Sequence, residues 1–493
     1  MVNVTFLISI LFPLFAPLAV YFARIKNNTY RKILYFSIVL ITSLFNLVLL
    51  LYTPKDTLVV FNILTSMQIS FALDGLGKIF FALVSFLWPF AMIYLFAYME
   101  DVERLNSYTL LYVMTYGVVC GICLSSNMLT MFIFYELLTL ITVPLISFNN
   151  TVESRKAGRI YLYISLAGSA LAFMGLCYVL INAGNCEFVK GGIVQMQDHK
   201  IGSQLAFLAM FFGFGVKAAI FPLHFWLPQA GVAPTPTTAL LHAVAVVKSG
   251  AFAIIRSIYY MIGTQVLVST ASHYIVLAFS AFTIIFGSFM AMKEAHFKRR
   301  LAYSTISNIS YIVFAACTMT QLGLEAAMIH FVVHSISKIG LFYCCGMAMH
   351  KADVEYVEDC NGLGKYMKVA FICFTLCSLS LIGVPLFGGF ISKWYIAQSA
   401  IESKNVVAYI GLIALILSAI FTSVYTLRIS FRAFVLPQKP DLVVKENSKY
   451  EWMFMLVIIV MAILSIVLGV FSSPFINKIA SLLGGNALWV WYL

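Results

Sequence analysis

Two stretches decide the fold: Gly213-Phe-Gly-Val-Lys-Ala-Ala-Ile-Phe-Pro222 and Gly383-Val-Pro-Leu-Phe-Gly-Gly-Phe-Ile-Ser-Lys393. Each is an apolar run interrupted by glycine and proline, with a lysine beside the interruption. Pro222 and Pro385 each remove a backbone donor, and the glycines tolerate backbone that no helix can use. Around them lies a chain of 493 residues that is 62% hydrophobic and only 10% charged. Its mean hydropathy is +0.96. A soluble chain carries about 25% charged residues. The polar surface is therefore too small for a soluble particle, and the expectation is an all-α polytopic membrane protein. Broken backbone at membrane depth then requires a buried polar or hydrated setting.

Runs of about 20 apolar residues cross the hydrocarbon core. Fourteen such spans are read, near 4–22, 33–52, 79–98, 107–125, 127–147, 160–182, 203–221, 238–262, 271–292, 301–319, 325–347, 367–390, 405–428 and 452–472. The first has no basic stretch before it and no small-residue cleavage site after it, so it is read as a retained span. The tail Phe475–Leu493 is read as an interfacial or partner-docking segment. The formal charge of +12 does not suggest nucleic acid, because the basic residues are scattered between spans. Connections after odd-numbered spans hold most of them, from Arg24 and Lys26 through Arg155, Lys156 and Arg159 to Lys298-Arg299-Arg300 and Lys449. Connections after even-numbered spans hold only Lys55, Lys78, Lys190, Lys200, Arg256 and Lys404. The positive-inside rule places the odd connections in the cytoplasm and both termini on the outer face of the cell membrane. Lys298-Arg299-Arg300 reads as a cytoplasmic anchor.

The loops are short, and no nucleotide-binding, zinc-protease or calcium-loop motif is found. No cofactor and no metal are expected. The ten cysteines fall mostly within apolar runs, so no disulfide framework is implied.

Four lysines stay inside the spans, Lys217, Lys248, Lys338 and Lys393, together with Glu136. A charge at the bilayer centre costs about 2.5–3.5 kcal/mol on insertion scales, so the default reading is an ion or proton pathway. A buried Glu–Lys pair is poised to exchange or modulate a proton. Lys217 and Lys393 both lie beside helix breaks in spans that cross in opposite directions. Paired interrupted helices in two inverted halves point to a transport site. His242 and Lys248 share one loose sector of span 8. His330, His334 and Lys338 follow each other in steps of four and share one helix face. Histidine titrates near neutrality and can pass a proton through either nitrogen, so a relay is favoured there over a metal site. Ser304, Thr305, Ser307, Asn308 and Ser310 of span 10 are read equally as water-holding or as packing positions.

The run Val216-Lys-Ala-Ala-Ile-Phe-Pro-Leu-His-Phe-Trp-Leu-Pro-Gln-Ala230 carries a resemblance, with Ala233-Pro-Thr-Pro236, Val247-Lys-Ser-Gly250 and Lys298-Arg-Arg-Leu-Ala-Tyr-Ser-Thr-Ile-Ser-Asn308. Together with the span-11 histidines, these resemble the antiporter-like subunits of respiratory complex I and the large subunits of Mrp-type cation/proton antiporters. Val-Lys-Ala-Ala-Ile-Phe-Pro-Leu and Phe-Trp-Leu-Pro look like the Mrp D-type subunit, whereas Leu241-His-Ala resembles the longer A-type and distal complex I subunits. The absence of a long lateral helix after span 14 favours the D-like size class.

The resemblance implies fourteen spans with two inverted five-helix repeats and breaks in spans 7 and 12. It divides the chain into residues 1–106 (spans 1–3), 107–262 (spans 4–8), 263–428 (spans 9–13) and 429–493 (connection, span 14 and tail). It also implies a hydrated axis of Glu136, Lys217, Lys248, His330, His334 and Lys393, with Lys338 nearby. His242 matches the span-8 histidine of the longer subunits. The expected function is a proton-translocating subunit of a multisubunit Na+/proton antiporter, with other membrane subunits, protons and sodium as partners. The alternatives are an antiporter-like subunit of a complex I-type NADH:quinone oxidoreductase or membrane-bound hydrogenase, and a transport-inactive scaffold. No redox or hydrolytic chemistry is expected of this chain itself.

Overall fold

The computed structural model describes residues 2–52, 56–64, 67–100, 102, 104–439, 443–445 and 450–485. Lys55, Lys449 and the tail beyond residue 485 lie outside the described residues. Eleven of the described helices are long and apolar enough to cross a membrane. The chain clusters into two compact units. The first comprises residues 1–92, 99–218 and 244–276; the second comprises 93–98, 219–243 and 277–493.

The first unit opens with α1 (Val2–Phe22), α2 (Asn28–Tyr52), α3 (Gly75–Tyr98, whose last turn belongs to the second unit), α4 (Leu105–Leu124), α5 (Met128–Ile146) and α6 (Val152–Ala183). The boundaries have local causes. Asn127 accepts a hydrogen bond from the Thr130 amide at 2.8 Å and caps α5, which separates it sharply from α4. Thr151 caps α6 through the Ser154 amide, and Gly184 ends it at φ +70°. Helix α6 begins eight residues before the predicted apolar span, so its first two turns carry Arg155, Lys156 and Arg159, all exposed.

The sequence reading was all-α. The structure adds an antiparallel hairpin between α2 and α3, β1 (Leu58–Leu64) with β2 (Met67–Phe71), paired from Leu58↔Phe71 to Leu64↔Met67. Leu-Val-Val-Phe-Asn-Ile-Leu is rich in β-branched and aromatic residues and is too short to span, which suits a strand. Asn127 Nδ2 donates to Gln68 O and Ser70 Oγ, which ties the hairpin to the start of α5.

Helix α7 (Lys200–Gly215) stops at Gly215, where span 7 was read to continue to 221. Gly213 lies against α6: an added Cβ would sit 2.5 Å from Ala172 N and 2.6 Å from Gly168 O. After turns come α8 (Trp226–Gln229) and α9 (Thr235–Ala239) in the second unit, then α10 (Val246–Arg256) and α11 (Thr264–Leu267) in the first. Span 8 was read as one continuous helix. Instead a π-turn at Leu240–Val244 interrupts it, and a second follows at Ser257–Ile262. Such bulges shift the side-chain register by one residue and concentrate at functional positions.

The second unit contains α12 (Ala271–Lys293, whose first turns belong to the first unit), α13 (Phe297–Cys317), α14 (Gln321–Ala352), α15 (Lys368–Ile382), α16 (Gly388–Glu402), α17 (Val406–Phe434), α18 (Glu451–Val470) and α19 (Ser472–Leu483). Helix α13 is too polar to rank among the apolar spans, yet almost all of it is buried. Span 12 is two helices. Gly383 at φ +93° ends α15, and Pro385 lies in the five-residue break before α16. Gly389 then meets α15 so closely that a Cβ would fall 1.6 Å from Ser380 O.

Candidate functional site

In the first unit, Lys217 follows immediately on the end of α7 and is fully buried. Its ammonium donates to the backbone carbonyl of Tyr135 on α5 and lies 3.3 Å from the centre of the Tyr135 ring. The Tyr135 hydroxyl donates in turn to Phe214 O at 3.4 Å. A cation over an aromatic face, fixed by a carbonyl, is held without a direct ion pair. Glu136 is the next residue on α5. It is half-buried and within electrostatic reach of Lys217, but the described residues form no salt bridge between them. The carboxylate accepts a hydrogen bond from Ser169 of α6 instead.

Lys248 is fully buried on α10. Two residues on, Gly250 rests against the peptide that leads out of Lys217, where a Cβ would lie 2.4 Å from Ala218 N. Glycine at 250 is what lets α10 approach the α7 break so closely.

In the second unit, Lys338 of α14 is fully buried and donates to Leu301 O at 2.8 Å and to Ser304 Oγ, both on α13. His334 and His330 continue along the same face, with ring centres 6.0 Å apart. His330 Nδ1 shares a 2.9 Å hydrogen bond with Ser392 Oγ, one residue before Lys393 on α16. Tyr311 stands between the two, its ring centre 5.4 Å from that of His330 and 4.9 Å from Lys393 Nζ. Lys393 was placed at the end of span 12. It sits inside α16 and folds back across the break, donating to Ile382 O at 3.0 Å, the carbonyl freed where α15 ends. That bond keeps the side chain within the protein rather than snorkelling along it. His242 occupies the π-turn, fully buried, its ring 4.8 Å from that of Phe342.

The polar set on α13 divides. Ser304 holds Lys338, and Ser307 bonds Ser418 Oγ at 3.0 Å, which also accepts from Tyr311. Thr305 and Ser310 return to carbonyls of their own helix. Tyr135, Tyr311 and Ser392 were not singled out from the sequence. Tyr311 had a usable signal, since it lies seven residues after Ser304 and four after Ser307, on one face.

Two further readings change. Arg256, counted as a loop residue, is a buried charge with 1% exposure, paired with Asp74 through Nη1–Oδ2 at 2.5 Å and Nη2–Oδ1 at 2.7 Å. Of the basic trio, Lys298 and Arg300 are buried and donate to Ala233 O and Glu294 O; only Arg299 is exposed as an anchor should be.

The fold and this lysine–histidine set define a multi-pass helical membrane protein of antiporter type. The NADH:quinone oxidoreductase/Mrp antiporter transmembrane family matches residues 125–427, and the chain belongs to that family. It is 28% identical over 390 residues to the probable K(+)/H(+) antiporter A/B protein of Rhizobium meliloti, covering 77% of this chain and 38% of that protein. The chain thus spans well under half the length of the Rhizobium relative. It is 28% identical over 428 residues to NADH-quinone oxidoreductase subunit N of Desulforudis audaxviator, covering 83% and 84%. The fold is similar to a chain of the Mrp complex from a Dietzia species, with a TM-score of 0.84 at 18% identity, covering 98% and 97%.

Proposed function

We propose that this chain is a proton-translocating subunit of a multisubunit cation/proton antiporter in the cell membrane, with sodium as the coupling cation. The observation that carries the reading is Lys217: a fully buried ammonium at a helix break, held by one carbonyl and one aromatic face, with Glu136 beside it. A lysine with so few partners can release its proton without dismantling a salt bridge, and the charge on Glu136 sets its occupancy. Lys338 and Lys393 repeat the pattern, each held by backbone carbonyls and hydroxyls or rings rather than by carboxylates.

The order of transfer follows the sequence reading: Glu136 and Lys217, then Lys248, the histidines with Lys338, and Lys393. His242 belongs to the same set. Fourteen spans, the inverted repeats at 107–262 and 263–428, and termini on the outer face are part of this proposal. So are partner membrane subunits, since relatives are named as subunits of larger assemblies. A second reading, a proton-pumping subunit of a complex I-type enzyme, has its own support: the chain spans 84% of a subunit N.

The test is proton flux in inverted vesicles from cells expressing the whole gene cluster, with sodium or potassium pulses and with NADH. Wild type and Lys217→Ala are compared after native gels establish assembly. Loss of cation-dependent dequenching of a pH dye in an assembled mutant supports the antiporter. Flux driven by NADH alone moves the assignment to the redox complex. Unchanged flux in Lys217→Ala overturns the mechanism.

A further inference from the structure

We propose that the buried hydroxyls between α5 and α6, centred on Tyr161, form a proton wire that leads from the basic α5–α6 connection to Glu136. The inference rests on Glu136 being a proton-carrying group, and it names the residues that supply it.

Hydroxyls recur on one face of each helix. On α6 they are Tyr161, Ser165 and Ser169, in steps of four; on α5 they are Thr139 and Thr142, three and six residues after Glu136. All five are at most 4% exposed. Ser169 donates to the Glu136 carboxylate. The Tyr161 and Thr142 hydroxyls share a 2.9 Å hydrogen bond, and Tyr161 also faces Thr139 and Ser165. At the far end Ser147, half-buried, covers Gly158, where a Cβ would lie 2.0 Å from its Oγ. Beyond it the chain turns into the exposed Arg155, Lys156 and Arg159. From Gly158 to Ser169 the helix rises about 16 Å, roughly half the hydrocarbon thickness.

Packing alone does not explain this file. Thr139 Oγ1 and Ser165 Oγ are buried and make no hydrogen bond among the described residues. Each such group costs about 1–3 kcal/mol unless something satisfies it. Serine and threonine in a membrane helix normally return their hydroxyl to the carbonyl one turn back, as Thr109 and Thr115 do. Thr139 and Ser165 do not, and both lie beside Tyr161, where a bridging water would find several polar partners.

The transfer is balanced at every step. Each hydroxyl or water accepts a proton on one side and gives up its own on the other. Only O–H bonds form and break, and the relay oxygens end neutral. The Glu136 carboxylate ends protonated.

The test uses the assembled complex in inverted vesicles. Ser165→Ala removes no existing hydrogen bond, so a purely structural role predicts no effect. Tyr161→Phe keeps the ring and removes the hydroxyl. Both are expected to assemble, to slow hydrogen/deuterium exchange of the Glu136 carboxyl by about tenfold or more, and to lower proton flux with it. The exchange is read by infrared spectroscopy, with the band assigned by its loss in Glu136→Gln. Thr109→Val is the control and is expected to match wild type. Wild-type exchange in both assembled variants overturns the wire, even if Lys217→Ala has abolished flux and the transport reading stands. Slowed exchange with flux that never depended on Lys217 supports the wire while the transport reading fails.

Discussion

Removing the carboxylate of Asp74 should destabilise the protein far more than removing the arginine it holds. Arg256 is 1% exposed, and its guanidinium lies 4.4 Å from the ring centre of Phe188, 4.8 Å from Tyr260 and 5.1 Å from Phe252. Asp74 accepts two hydrogen bonds from it, and its own side chain is 36% exposed. Taking one partner from a buried ion pair costs about 3–5 kcal/mol, because the other charge stays buried alone. Water at the open side of Asp74 places Asp74→Asn near the lower end, about 3 kcal/mol. Arg256→Met keeps the volume among the rings and leaves a carboxylate that water can reach, at about 1 kcal/mol. The double variant should cost no more than Arg256→Met, which gives a coupling of about 3 kcal/mol.

The pH dependence has a defined sign. Burial pushes the Asp74 carboxyl up, but the Arg256 charge and its hydrogen bonds prevail and hold it below its usual value. A depressed folded value means the contribution is complete above the unfolded value near about 4 and fades as pH falls through the folded one. The Asp74→Asn cost should therefore be flat from about pH 5 to 8. The assay is the unfolding equilibrium of the purified complex in mixed micelles, run on the four-member mutant cycle. Equal costs for Asp74→Asn and the double variant would refute the argument, because the buried guanidinium would then need no carboxylate.

Two predictions concern the lysines directly. Gly250→Ala would place a methyl against Ala218 N and Lys217 C, backbone atoms 2.4 and 2.8 Å from the new Cβ; it should cost about 1–3 kcal/mol and lower flux by displacing Lys217, checked by thermal unfolding and the pH-dye assay, and wild-type stability would show that α10 can retreat freely. Ser304→Ala leaves Lys338 only the Leu301 carbonyl and the Phe342 face; proton flux should fall with assembly intact, and wild-type flux would remove Ser304 from the machinery.

Much of the candidate site was legible because charge in an apolar run is expensive and therefore conspicuous. Lys217, Lys248, Lys338 and Lys393 are all buried or half-buried as read, and the interruptions at Pro222 and Pro385 are real helix ends. Less legible were groups whose role depends on a neighbour from another helix. Tyr135 and Tyr311 look like ordinary aromatic packing in sequence, and Arg256 looks like a loop residue until Asp74, 182 positions away, is found beside it.

By itself the sequence determined that the chain is a multi-pass helical membrane protein with embedded lysines at two broken helices. Periodicity, run length and glycine–proline punctuation are local properties, and the bilayer imposes them span by span. Only the tertiary structure decided what each charge touches: a carbonyl and a ring for Lys217, a serine for Lys338, the freed end of α15 for Lys393, a serine rather than a lysine for Glu136. It alone decided the π-turn that carries His242 and the hairpin packed beside α5. Those outcomes depend on which helices pack together and at what depth, and such long-range pairing leaves no trace in any single run of residues.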